Sequence, residues 1–237
     1  MTFTYTEYLN IEDYTELIEQ LWHGRHWVQQ NRFGYLKRLN AWGCDTLVHI
    51  IPSHLLSCFH NLEELDVWNC SNVEVIFNIA HNNRMAKASG IFSLKNLCLY
   101  NLPKLEHLWD EDPKGIIDLH VLEEMRVEYC RSLTCLFPES VAKDLTGLEV
   151  FMVTECEQLE EIYRKDETSG EEEGSAQHSM FPRLTTFTLE QLPRLKYFIH
   201  CSKQQVTTLT FKIISSTWIY NIYCYSYYFN FILYKFY

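Results

Sequence analysis

Glycine is scarce, with eight in 237 residues, and none belongs to a G-x-x-x-x-G-K-[ST] run, so no phosphate-cradling loop and no nucleotide switch is encoded. Neither a G-x-S-x-G elbow nor a Cys-His signature occurs, which removes the common nucleophilic hydrolases. No C-x-x-C pair exists. Basic residues are in deficit, 20 Lys and Arg against 31 Asp and Glu, and the resulting charge of -11 argues against a nucleic-acid partner. The opening MTFTYTEYLNIED, Met1 to Asp13, has neither a basic n-region nor an apolar h-region, so a cytoplasmic location is expected.

A single hydrophobic period is missing too. In Asn61 to Phe77, NLEELDVWNCSNVEVIF, the apolar residues Leu62, Leu65, Val67, Cys70, Val73 and Ile76 fit neither the 3.6 spacing of a helix nor the spacing of 2 of an exposed strand. What is present instead is a repeat. Six segments, beginning at Phe33, Phe59, Ile91, Leu119, Leu145 and Phe181, carry apolar residues at the same seven offsets. The first reads Phe33, Leu36, Leu39, Ala41, Cys44, Leu47, Ile50, and the last reads Phe181, Leu184, Phe187, Leu189, Leu192, Leu195, Phe198. Every template position is apolar, where a composition 47% hydrophobic would fill roughly half by chance. The segments recur every 26 to 36 residues, counted between those starting positions.

The L-x-x-L-x-L core of each unit describes a brief strand with one buried face, and the wider spacing after it describes a chain turning back. One coil cannot bury its own apolar edge, so coils must stack, with their strands in one parallel sheet about 4.8 Å apart. The expected product is an α/β solenoid with a parallel sheet on its concave face and a largely irregular convex side. This pattern resembles the leucine-rich repeat. Its C/L-x-x-L-x-x-L/I continuation is similar to the repeats of plant nucleotide-binding, leucine-rich-repeat disease-resistance proteins. The phrases Leu102-Pro103-Lys104-Leu105-Glu106-His107-Leu108-Trp109 and Leu192-Pro193-Arg194-Leu195-Lys196-Tyr197-Phe198 resemble a segment common in their coiled-coil members.

The resemblance spans residues 3–200. Residues 3–32 read as a degenerate first repeat and connector, with Thr6 where leucine is expected; residues 33–200 read as six repeats. Insertions near 81–90 and 165–180 lengthen two coils, the second of them acidic and expected to be a solvated loop. The tail, residues 201–237, ends in WIYNIYCYSYYFNFILYKFY and reads as lying outside the repeat architecture. A translated intron or shifted frame, an aromatic anchor and a docking strand all stay open for it. Its tyrosines, asparagines and lysine argue against a membrane span.

Nine cysteines invite a disulfide or metal reading. Cys44, Cys70, Cys130 and Cys156 fall where other coils place leucine, so they are expected as small buried hydrophobes with reduced thiols. Cys44 with Cys70, and Cys130 with Cys156, are expected on neighbouring coils. His23 and His26 form an H-x-x-H without a third ligand, which suits a turn better than a metal site. No metal, no cofactor and no catalytic residue is expected.

Stacking the coils should align the outward residues of L-x-x-L-x-L in three columns. One holds Glu12, Trp42, Trp68, Tyr100 and Glu128; the next holds Asn40, Asp66, Cys98 and Arg126; the third holds Arg38, Glu64, Asn96 and Glu124. Three adjacent aromatics on a polar face suit a protein anchor, although aromatic pairs also stabilise sheets. The resemblance implies the recognition end of a plant immune receptor, partnered by a pathogen effector, a host protein or a nucleotide-binding module. Two other readings stand beside it. Substrate-recognition repeats of an F-box ubiquitin ligase are one, although Cys70-Ser71-Asn72-Val73-Glu74-Val75-Ile76 lacks the T-D and glycine usual there; a non-functional fragment is the other.

Overall fold

The computed structural model describes residues 6–12, 33–79, 93–113, 116–164, 181–196 and 208–212. These contain β1 (Tyr8–Glu12), β2 (Arg38–Trp42), β3 (His49–Ile51), β4 (Glu64–Trp68), β5 (Val75–Phe77), β6 (Asn96–Tyr100), β7 (His107–Trp109), β8 (Glu124–Glu128), β9 (Cys135–Pro138), β10 (Val150–Thr154), β11 (Glu161–Arg164), β12 (Thr186–Glu190) and β13 (Thr208–Lys212). One sheet takes eight of them in the order β1-β2-β4-β6-β8-β10-β12-β13, every pair parallel. The molecule is a leucine-rich-repeat solenoid.

Each large-sheet strand with described side chains buries two residues on one side, as Leu65 and Val67 do in β4, because period-2 alternation sends their neighbours outward. Every described template residue is at most 6% exposed. A buried Leu, Ile or Phe contributes about 1.5–3 kcal/mol, and here each coil buries its set only against the coils above and below. Phe151 packs against both neighbouring coils, its ring 6.2 Å from Phe137 of the coil before and 5.9 and 5.5 Å from Phe181 and Phe187 of the coil after.

The spacing of three now has a physical cause. Template residues three apart sit at the ends of four-residue turns closed by N–H···O bonds: Leu62 N to Phe59 O at 3.0 Å, Leu105 N to Leu102 O at 3.1 Å and Leu159 N to Cys156 O at 3.2 Å. Between strand and turn, the chain takes a left-handed corner. Gly43, Asn69, Asn101, Tyr129, Glu155 and Gln191 each follow a strand immediately and each has φ between 53° and 63°. The corner N–H of one coil donates to the last strand carbonyl of the next, as Asn69 N does to Tyr100 O at 2.9 Å, so the corner is part of the inter-coil ladder.

Beside the expected parallel sheet, a second stack of short parallel strands lines the return path, split into β3-β5-β7 and β9-β11. Elsewhere that side holds a 3-10 helix, Ser53–Cys58, and a six-residue helix, Glu139–Asp144. In the tail, β13 continues the large sheet, pairing Phe187 with Leu209 and Leu189 with Phe211. A docking strand is therefore the reading the fold supports for residues 208–212. The insertions near 81–90 and 165–180, His23 and His26, and the rest of the tail lie outside the described residues.

Candidate recognition surface

Strand register fixes the surface. Arg38 pairs with Glu64, Asn40 with Asp66 and Trp42 with Trp68; β6 and β8 extend the rows through Asn96 to Glu124, Cys98 to Arg126 and Tyr100 to Glu128. With Glu12 opposite Trp42, all the column residues singled out in the sequence therefore stand on one face of the large sheet, opposite the buried leucines.

The aromatic column is a continuous row of tilted rings. Trp42 and Trp68 ring centroids lie 6.5 Å apart, and Trp68 and Tyr100 lie 5.2 Å apart. The indoles remain 57% and 41% exposed, well above their neighbours on the inner face. Sequence alternation missed a fourth member, Tyr129. It occupies a left-handed corner, φ 57°, just past β8, and meets Tyr100 edge-on at 5.2 Å and 67°. The signal that finds it is its place after the strand, where the other coils hold Gly43, Asn69 and Asn101.

Polar residues beside the stack hold one another in place. Arg38 Nε is 3.0 Å from Glu64 Oε2, Arg126 Nε donates to Glu124, and Arg126 also reaches Met152 Sδ at 3.9 Å. Asn40 donates to the Tyr8 hydroxyl at 2.8 Å. At the centre, burial holds the Asp66 carboxyl above its usual range, with Glu64 and Glu124 adding to the effect and Cys98 and Arg38 opposing it. Burial, then Asp66 and Glu124, push the Cys98 thiol up to about 12, so it stays protonated and is a poor nucleophile.

The template cysteines behave as packing groups. Cys70 and Cys156 are buried, and their thiols donate to the Trp68 and Thr154 carbonyls, both at 3.4 Å. Cys44 N donates to Cys70 Sγ at 3.3 Å, which places these two on neighbouring coils. A cleft of about 230 Å³ opens between β7 and β9, where the short-strand stack splits, and is lined by His107, Trp109, Asp110, Cys135, Phe137 and Arg164 among others. Burial raises the Cys135 thiol there as well. Among the described residues, no helix is long and apolar enough to cross a membrane.

No curated protein and no solved structure gives a match. Residues 5–157 match the family described as plant disease resistance protein RPS2-like, leucine-rich repeats. That span contains β1 to β10 and the whole aromatic stack. With well over half of its length inside the match, and with the strand register of a leucine-rich-repeat solenoid, the chain belongs to the RPS2-like leucine-rich-repeat family of plant disease resistance proteins.

Proposed function

We propose that the chain is a protein-recognition module of plant innate immunity that works in the cytoplasm. It senses a pathogen effector or a guarded host protein, and the exposed face of the large sheet is its contact surface. It performs no catalysis. The observation that carries the reading is the Trp42, Trp68, Tyr100 and Tyr129 row, its indoles exposed and its tyrosines half-buried, on a sheet whose other face is apolar core among the described residues. Large exposed rings beside columns of polar residues are the residue types that dominate protein interfaces. Repeat modules of this kind generally mediate protein interactions, and an upstream nucleotide-binding module would be the natural intramolecular partner in a longer receptor.

The test is affinity purification of the tagged chain from challenged leaf tissue, beside the triple variant Trp42→Ala, Trp68→Ala, Tyr100→Ala. A pathogen or host protein recovered by the wild type and lost from the variant is the expected result. Recovery of a ubiquitin-ligase adaptor would favour the F-box reading instead, and partners recovered equally by both forms would move the contact off this face.

A further inference from the structure

The outward positions of β1, β2, β4, β6 and β8, the strands that carry and border the aromatic row, hold Glu12, Glu64, Asp66, Glu124 and Glu128, against two cations, Arg38 and Arg126. Both guanidinium groups are already engaged within the face, Arg38 by Glu64 and Arg126 by Glu124. A negative surplus therefore lies beside the aromatic row and at its ends. Alternation sets Asp66 two residues before Trp68 on β4, and register sets Glu128 opposite Tyr100, next to Tyr129 in sequence. Aromatic faces carry negative quadrupole density, so carboxylates and rings in this arrangement favour the same kind of ligand.

We propose that this face docks an arginine-rich segment of a partner protein, with guanidinium groups stacked on the Trp42 to Tyr129 row and hydrogen-bonded to Asp66 and Glu128. The proposal deepens the reading of the face as a recognition surface and rests on it. Charge complementarity selects the occupant. A second copy of a chain with net charge -11 would bring like charge to the face, and a purely apolar segment would strip water from carboxylates without replacing their partners. Arginine suits it better than lysine because its planar fork both stacks on rings and binds carboxylates through two N–H groups. Burial first, and repulsion from Glu64 and Glu124 after it, disfavour the Asp66 carboxylate, and an arriving guanidinium compensates both.

The experiment is calorimetric titration of the full chain with hexa-arginine, hexa-lysine, hexa-glutamate and a neutral Gly-Ser hexapeptide, at low and high salt. Hexa-arginine is expected to bind most tightly, hexa-lysine less, and both less at high salt. Trp68→Ala should lower hexa-arginine affinity about tenfold, and Trp68→Phe, which keeps a ring, should lose less. Asp66→Asn should lose severalfold, while Glu106→Gln on an exposed turn leading into β7 should change nothing. Thermal midpoints recorded on each variant separate lost contact from lost fold. Equal affinity for wild type and Trp68→Ala, or equal losses in Asp66→Asn and Glu106→Gln, would reduce binding to general charge attraction and overturn the proposal. Binding of the neutral or anionic peptide that is lost in Trp68→Ala would overturn the arginine assignment while leaving the recognition surface in place. Absence of binding by every peptide would overturn the arginine assignment too, and the separate purification test would then decide the surface.

Discussion

Left-handed corners are where single residues bear the greatest local cost. Gly43 and the asparagines Asn69 and Asn101 tolerate positive φ, but Tyr129, Glu155 and Gln191 hold it despite a Cβ. Such a residue costs about 1–2 kcal/mol, against which glycine's extra chain entropy returns about 0.5–1 kcal/mol. Glu155→Gly should therefore stabilise the protein by about 0.5–1 kcal/mol and Gly43→Ala should destabilise it by about 1 kcal/mol, read as shifts in the urea midpoint at constant slope. Asp66 supplies a second prediction. Its folded carboxyl is raised above the ordinary 3.8, so its contribution to stability is fully present below that value and is lost as pH rises through the folded pKa. Asp66→Asn should consequently be more stable than wild type at neutral pH, with the difference closing by about pH 3. A wild type that stays the more stable form at neutral pH would show that Asp66 is held by favourable contacts instead.

At the scale of elements, coils fit because core rings interleave and backbones approach closely. Phe151→Ala, which removes the ring packed against Phe137, Phe181 and Phe187, should cost about 3–5 kcal/mol in chemical denaturation. Gly147 shows the second constraint: a Cβ there would stand 2.5 Å from the His120 carbonyl oxygen of the preceding coil. Gly147→Ala should cost about 1–3 kcal/mol, although it leaves the hydrophobic template intact. The L-x-L strands were legible in the sequence because each commits two residues to one face, and the same alternation located Arg38 through Glu128 on the other. The short-strand stack was not legible. Three-residue strands such as Val75–Phe77, buried throughout, show no alternation long enough to separate from a turn. Tyr129 was hidden for a different reason, since a corner rather than a strand presents it. In the tail, Val206, Leu209, Phe211 and Ile214 fit four consecutive template offsets, but Lys203 and Thr217 break the pattern at either side. The 22-residue step from Phe187 to Leu209 is shorter than that of any other coil, which is why the eighth strand went unseen.

For the whole molecule, solenoid energetics predict that each coil is supported by its neighbours and that terminal coils need shielding. β1 and β13 are the two edges of the large sheet. Deleting residues 201–237 removes β13 and bares the edge of β12 while the β1 edge remains, so the shortened chain should self-associate in light scattering; a monodisperse, cooperatively unfolding monomer would contradict this. The central claim is that the two faces of that sheet have separate tasks, packing on one and recognition on the other. It is tested most directly by replacing Trp42, Trp68 and Tyr100 singly with alanine and measuring both partner affinity and the unfolding midpoint. A loss of about 2 kcal/mol in affinity with little change in midpoint is the predicted result, whereas unchanged affinity with a lowered midpoint would contradict the account and reduce the aromatic row to sheet packing.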